Sequence, residues 1–127
     1  KKIIENIKFI RGDINDNPGL FLRVLSELSR QNIGKTGVVL SDIAPNITGI
    51  SDIDQSNFSE IALNILVFCK SILKPKGMLV MKYFLGSGIE DAKKLLNKSF
   101  SKISVFKPTS SKKKSNEVYL ICNDFKV

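Results

Sequence analysis

Three short apolar runs, each joined to a charged residue, set most of what this chain can become. Val38-Val39-Leu40 leads through Ser41 to Asp42, Met78-Leu79-Val80-Met81 runs directly into Lys82, and Val118-Tyr119-Leu120-Ile121-Cys122 is opened by Glu117. Runs this short, rich in β-branched and other apolar residues, read as buried strands rather than helices. The backbone must leave the first of them at once. Pro45 lacks an N–H and disfavours helix at the residue before it, and Asn46, Thr48 and Gly49 continue a polar, turn-rich loop.

The segments between these runs have a different period. Leu20, Phe21, Val24, Leu25 and Leu28 form a helical stripe, with Asp16 or Asn17 as cap, Pro18 at the first position and Asn32 and Gly34 at the end. Asn57-Phe58-Ser59-Glu60 has the form of a capping box. The helix it opens is apolar almost all round, from Ile61 to Leu73, and Pro75-Lys76-Gly77 stops it. Ser87-Gly88-Ile89-Glu90 is a second capping box, with Ile89, Ala92, Leu95 and Leu96 inward. Ile7-Lys8-Phe9-Ile10 alternates as a strand and ends at Asp13, while Ile103, Val105 and Phe106 mark another strand before the polar connection 107–115. The order strand-helix-strand-helix-strand-helix-strand-strand predicts an α/β fold. Its sheet should be mostly parallel, with helices on both faces and an antiparallel last strand.

Composition narrows the chemistry. With 127 residues, 43% of them hydrophobic, the chain is large enough to bury a core. No apolar run is long enough to span a bilayer, which predicts no membrane partner. There is no histidine and no Cys-x-x-Cys pair, so a zinc site and His-assisted nucleophiles are both unsupported. Cys69 and Cys122 sit in apolar contexts far apart, as reduced core thiols of a cytoplasmic protein would. A net charge of +8 points to an anionic partner, of which nucleic acid is the commonest.

Asp42, Lys82 and Glu117 are the residues to explain. Each abuts a buried strand, and an acid at the carboxyl end of a parallel strand stands where open α/β sheets bind ligands. A lysine there is costly unless paired or used. Taken singly, each has an ordinary explanation: a turn-capping Asp, a snorkelling Lys, a cross-strand ion pair for Glu.

Together the segments "FIRGD", "LSDIAPNITG", "LKPKGMLVMKYF" and "FKPTSSKKKSNEVYLIC" resemble the FtsJ/RrmJ family of ribosomal RNA ribose 2′-O-methyltransferases, in order and spacing and over essentially the whole chain. The resemblance implies a Rossmann-like sheet, S-adenosylmethionine as cofactor, and ribosomal RNA or a ribosomal subunit as partner. It also implies catalytic roles for Asp42, Lys82 and Glu117, three members of the family's Lys-Asp-Lys-Glu set. Asp13 matches the residue that contacts the adenine end of the cofactor, and Asp42 lies beside its methionine end. Lys82 would act on the ribose hydroxyl either as a neutral amine that takes the proton or as a cation that stabilises developing alkoxide. Lys107, Lys112, Lys113 and Lys114 would grip RNA phosphates. Lys112 stands where the family usually has arginine, which removes a bidentate fork.

The family also has an amino-terminal segment with the first catalytic lysine, a glycine-rich cofactor loop on the first strand, and a second strand ending in a ribose-binding acid. These motifs are not found in the sequence. The resemblance therefore predicts a fragment: residues 1–127 as the carboxyl-terminal two-thirds of one methyltransferase domain, missing its first two strands. Such a piece would bind cofactor poorly and could self-associate through its open sheet edge. The competing functions are a non-catalytic basic RNA-binding module and a 2′-O-methyltransferase for transfer RNA or an mRNA cap.

Overall fold

The computed structural model describes residues 7–14, 17–31, 34–86, 88–108 and 116–126. Helix α1 is Asn17–Arg30, β1 is Thr36–Ser41, α2 is Ser51–Ile72, β2 is Leu73–Phe84, α3 is Ile89–Asn97, β3 is Phe100–Phe106 and β4 is Glu117–Phe125. The four strands form one sheet in the order β1-β2-β4-β3. β1 and β2 are parallel, whereas β4 is antiparallel to both β2 and β3. The α/β class and the antiparallel last strand are as the sequence predicts.

The period-2 alternation of the strands decides which face is buried. Leu79, Met81 and Tyr83 of β2 and Val118, Leu120 and Cys122 of β4 point to one side and are essentially inaccessible. There they meet Phe58, Ala62, Ile65, Leu66 and Cys69 of α2 and Ala92 and Leu96 of α3. Burial at this face is worth about 1.5–3 kcal/mol for each large apolar side chain. The opposite face is more open, with Leu40 at 74% and Phe106 at 52% exposure. Helices were expected on both faces, but among the described residues they lie on one, since α1 packs on α2 rather than across the sheet.

Three local expectations need correction. Residues 7–10 alternate like a strand but join no ladder, and Phe9 is 84% exposed. Among the described residues no strand lies beside them, and without a partner the alternation has no hydrogen bonds to organise it. Helix α2 begins at Ser51, six residues before the expected capping box at Asn57. The start is set by Asp54, whose Oδ1 accepts from the Thr48 backbone N–H at 2.8 Å and the Thr48 hydroxyl at 2.7 Å, and whose Oδ2 accepts from Gly49 N–H at 3.1 Å. Acids at Asp52 and Asp54 also suit the first turn of a helix. Finally, β2 begins at Leu73, and the register slips between Thr36 and Val38 as Lys76 adopts a left-handed φ of 66°. The Pro75-Lys76-Gly77 stretch therefore distorts a strand entry instead of separating helix from strand.

Of the second expected capping box, Ser87 lies outside the described residues. Gly88 holds the position before α3 with φ 72°, and a Cβ there would come within 2.7 Å of the Gln55 side chain. Only glycine combines that φ with so close an approach of α2. Cys69 and Cys122 are free and buried, and burial pushes both thiols up to about 12, which keeps them unreactive. No helix among the described residues is long and apolar enough to cross a membrane.

The Asp54 anchor gives a measurable acid sensitivity. Hydrogen bonds from Thr48 and Gly49 hold its carboxyl below the usual range, so the contribution is complete above the unfolded pKa of about 3.9 and is lost as pH falls through the lower folded value. Asp54→Asn should lower the unfolding temperature near neutrality and flatten its fall between about pH 5 and 3. Thermal melts of both proteins across that range check this; parallel curves would show that the anchor carries no linkage.

Candidate functional site

Parallel strands β1 and β2 deliver Asp42 and Lys82 to the same rim, and antiparallel β4 starts there with Glu117. The register sets the spacing. Ser41 is opposite Met81, Lys82 is opposite Tyr119, and Phe84 is opposite Glu117. Side chains of Lys82 and Tyr119, a directly opposed pair, thus fall on the side of the sheet away from buried Met81 and Leu120. Lys82 Nζ lies 3.2 Å from Asp42 Oδ1 and 3.7 Å from Glu117 Oε1. Its side chain is 17% exposed, against 72% for Asp42 and 40% for Glu117. The ammonium is recessed and the carboxylates flank it at the surface. Three residues far apart in sequence meet here, as their strand-end positions predict.

The electrostatics favour a charged lysine. The hydrogen bond to Asp42 and the nearby Glu117 charge raise the Lys82 pKa, with only partial opposition from burial. Asp42 is lowered chiefly by the Tyr119 hydroxyl, which donates to Oδ1 at 2.9 Å, and next by Lys82. The same bond raises Tyr119, because its proton is held by the carboxylate. The sequence marks Tyr119 only as part of the Val118–Cys122 run. Its link to Asp42 went unseen because it crosses from β4 to the end of β1, over β2, and no sequence period encodes that diagonal.

A second group of residues lies behind the Asp42 loop. Asp13 and Ile14, Ile43 and Asn46 of the loop, and Asn57 and Glu60 of α2 line a cavity of about 370 Å³. It mixes acids and amides with aliphatic walls, a combination suited to a flat heterocycle with exocyclic donors. Asp13 is therefore placed at a ligand-sized cavity. Asp42 does not line it, but the adjacent Ile43 does. Asn57 and Glu60 were read as helix caps; they belong to the cavity because α2 begins a turn and a half earlier. Lys107 Nζ donates to the Glu117 carbonyl at 3.3 Å, which brings one basic residue to the rim. Lys112, Lys113 and Lys114 lie outside the described residues. Among the described residues, no group of three His, Cys, Asp or Glu side chains could hold a metal ion.

The sequence profile of the FtsJ-like methyltransferases matches residues 1–125. A ribosomal RNA large subunit methyltransferase E from Wigglesworthia glossinidia brevipalpis is 36% identical over 98% of this chain and 58% of the relative's length. The protein of the same name from Methanothermobacter thermautotrophicus is 38% identical over 96% of this chain and 56% of its own length. The chain thus spans little more than half the length of these curated relatives. A Plasmodium falciparum structure named as a ribosomal RNA methyltransferase superposes with a TM-score of 0.78 at 28% identity, covering 98% of this chain and 66% of that one. The fold is accordingly Rossmann-like.

Proposed function

Because the chain belongs to the FtsJ-like methyltransferase family, we propose that it carries the catalytic rim of an enzyme that methylates a ribose 2′-hydroxyl of large-subunit ribosomal RNA, with S-adenosylmethionine as donor. The observation that carries this reading is the convergence of Lys82 with Asp42 and Glu117 at a single strand-end rim. A binding module would have no need of a recessed ammonium clasped by two acids. Residues 1–127 act here within a single methyltransferase domain.

When bound, the donor supplies an electrophilic methyl group on a sulfonium. The cavity at Asp13 suits its nucleoside end: Ile14 and Ile43 offer apolar contact, and Asp13, Asn46 and Asn57 offer polar partners for a purine edge and a ribose. The Asp42 loop joins that cavity to the rim. Lys82, charged at neutral pH, donates a hydrogen bond to the ribose O2′ and orients one of its lone pairs towards the methyl group. Methyl transfer would break the methyl–sulfur bond and release a neutral thioether, and as the new carbon–oxygen bond formed the hydroxyl proton would become strongly acidic. It leaves to the Asp42 or Glu117 carboxylate, and the Tyr119 hydroxyl and Lys82 ammonium keep Asp42 ionised beforehand. Tyr119 holds Asp42 in register for this task. Lys107, which bonds the Glu117 carbonyl, and Lys112, Lys113 and Lys114 of the same basic segment would steer and grip the RNA backbone.

The test is the position of the methyl group. Full-length protein incubated with tritiated donor and large-subunit ribosomal RNA should place label in alkali-resistant dinucleotides, since a 2′-O-methyl group blocks hydrolysis of the adjacent bond. Label recovered only in mononucleotides would mean base methylation and would end this reading. The cationic role of Lys82 predicts a kcat that is level between about pH 7 and 9.5. A log-linear rise over that range would assign the neutral amine as general base instead.

A further inference from the structure

The opposite end of the sheet carries a second basic feature. Lys35, Lys70, Lys98 and Lys126 ring a cavity of about 390 Å³ floored by Leu73 and Phe125. Lys35 precedes β1, Lys70 is in the last turn of α2, Lys98 follows α3, and Lys126 follows β4. Lys35 and Asp42 sit at the two ends of β1, seven residues apart, so this cavity lies roughly 20–25 Å from the catalytic rim. All four lysines are exposed, and no acidic side chain lines the cavity. Among the described residues none of the four has an ion-pair partner.

Helix-end lysines normally have a local purpose, since they offset the negative end of the helix dipole. That purpose accounts for two of the four at most. Lys35 and Lys126 flank strands, which have little net dipole. Backbone bonds also satisfy part of this end of the fold. Leu73 N–H donates to Cys69 O, Lys98 N–H to Leu95 O, Ser99 N–H to Leu96 O, and Lys126 N–H to Ser99 O at 2.7 Å. Four uncompensated cations around one concavity repel each other, and the low-dielectric walls concentrate their field outward. Such an arrangement binds anions.

We infer that this basic cavity is a second RNA-backbone site, which takes phosphates of the ribosomal RNA substrate remote from the target nucleotide. The inference rests on the function proposed above, because it assumes that RNA is the substrate. Two separated cationic surfaces on one small domain would let a large folded RNA reach past the sheet and touch both ends. A short oligonucleotide filling only the rim would touch one. The cavity therefore contributes affinity for extended RNA and takes no part in the chemistry.

The test uses full-length protein with Lys35→Gln, Lys98→Gln and Lys126→Gln combined, leaving Lys70 to face the α2 dipole. Binding to a large-subunit ribosomal RNA transcript is measured by filter retention across a salt series. Losing three phosphate contacts should reduce the log–log salt slope by about 2 and weaken binding at least tenfold at low salt. Methylation kcat on a short oligonucleotide should be unchanged, which shows that the variant is folded. An unchanged slope and affinity for the transcript would overturn the inference, including the case in which the variant instead loses an acidic protein partner. The alkali-resistance assay reads the parent function separately. Ribose methylation with an unchanged slope removes only this second site, whereas absence of ribose methylation removes the function on which it rests.

Discussion

Lys82→Met in full-length protein should lower the methyl-transfer rate by about 10³-fold, within the 10²–10⁴ range of a group that acts directly on a reacting oxygen, and leave donor binding within a factor of two. Methionine keeps the length and apolar stem of lysine, so the strand stays packed and the defect is confined to the missing ammonium. Lys82 does not line the cavity at Asp13, and this separates the effect on chemistry from any effect on donor affinity. Single-turnover kinetics with equilibrium binding of the donor measure both. Lys82→Arg is the informative companion. It keeps a charge, but its planar fork cannot take the place of a compact ammonium 3.2 Å from one acid and 3.7 Å from another, and recovery should be slight. Turnover within threefold of the parent in the methionine variant would remove Lys82 from the mechanism.

That Lys82 meets two acids at one rim is legible in the sequence for a physical reason. A strand that is apolar until its last residues and then presents a lysine must pair that charge or use it, and the pairing partner must come from another strand end at the same rim. Asp42 and Glu117 meet that condition by topology, because a parallel neighbour ends there and an antiparallel neighbour begins there. Other features were invisible for equally physical reasons. Asn57-Phe58-Ser59-Glu60 mimics a helix start, yet the true start depends on one buried acid, Asp54, reaching back to Thr48 and Gly49. Residues 7–10 carry a strand pattern, but alternation reports only a side-chain period and cannot report whether a neighbour is there to pair with. The lysine ring at the far end has no sequence signature because its members lie up to 91 residues apart and meet only when the sheet closes.

The rim also depends on a residue buried in the core. Phe58 is 2% exposed on α2, and its ring lies 5.2 Å from that of Tyr83 and 4.9 Å from that of Phe84. Those two residues directly follow Lys82, so this aromatic cluster clamps the end of β2 at the point where the strand presents its ammonium. Removing the ring loses its transfer free energy, its aromatic contacts and the packing of a close-fitted site, in all about 3–5 kcal/mol. Against a typical stability of about 5–15 kcal/mol, that is enough to leave a sizeable unfolded population at physiological temperature. Phe58→Ala should therefore lower the unfolding midpoint in urea sharply without changing the slope. Phe58→Leu, which refills much of the volume, should recover most of the midpoint while leaving a looser β2 end. The leucine variant thus separates folding from positioning. If the clamp orients Lys82, it should fold, bind the donor normally and still turn over several-fold more slowly; a kcat equal to the parent's would mean that β2 holds its lysine in place without help from α2.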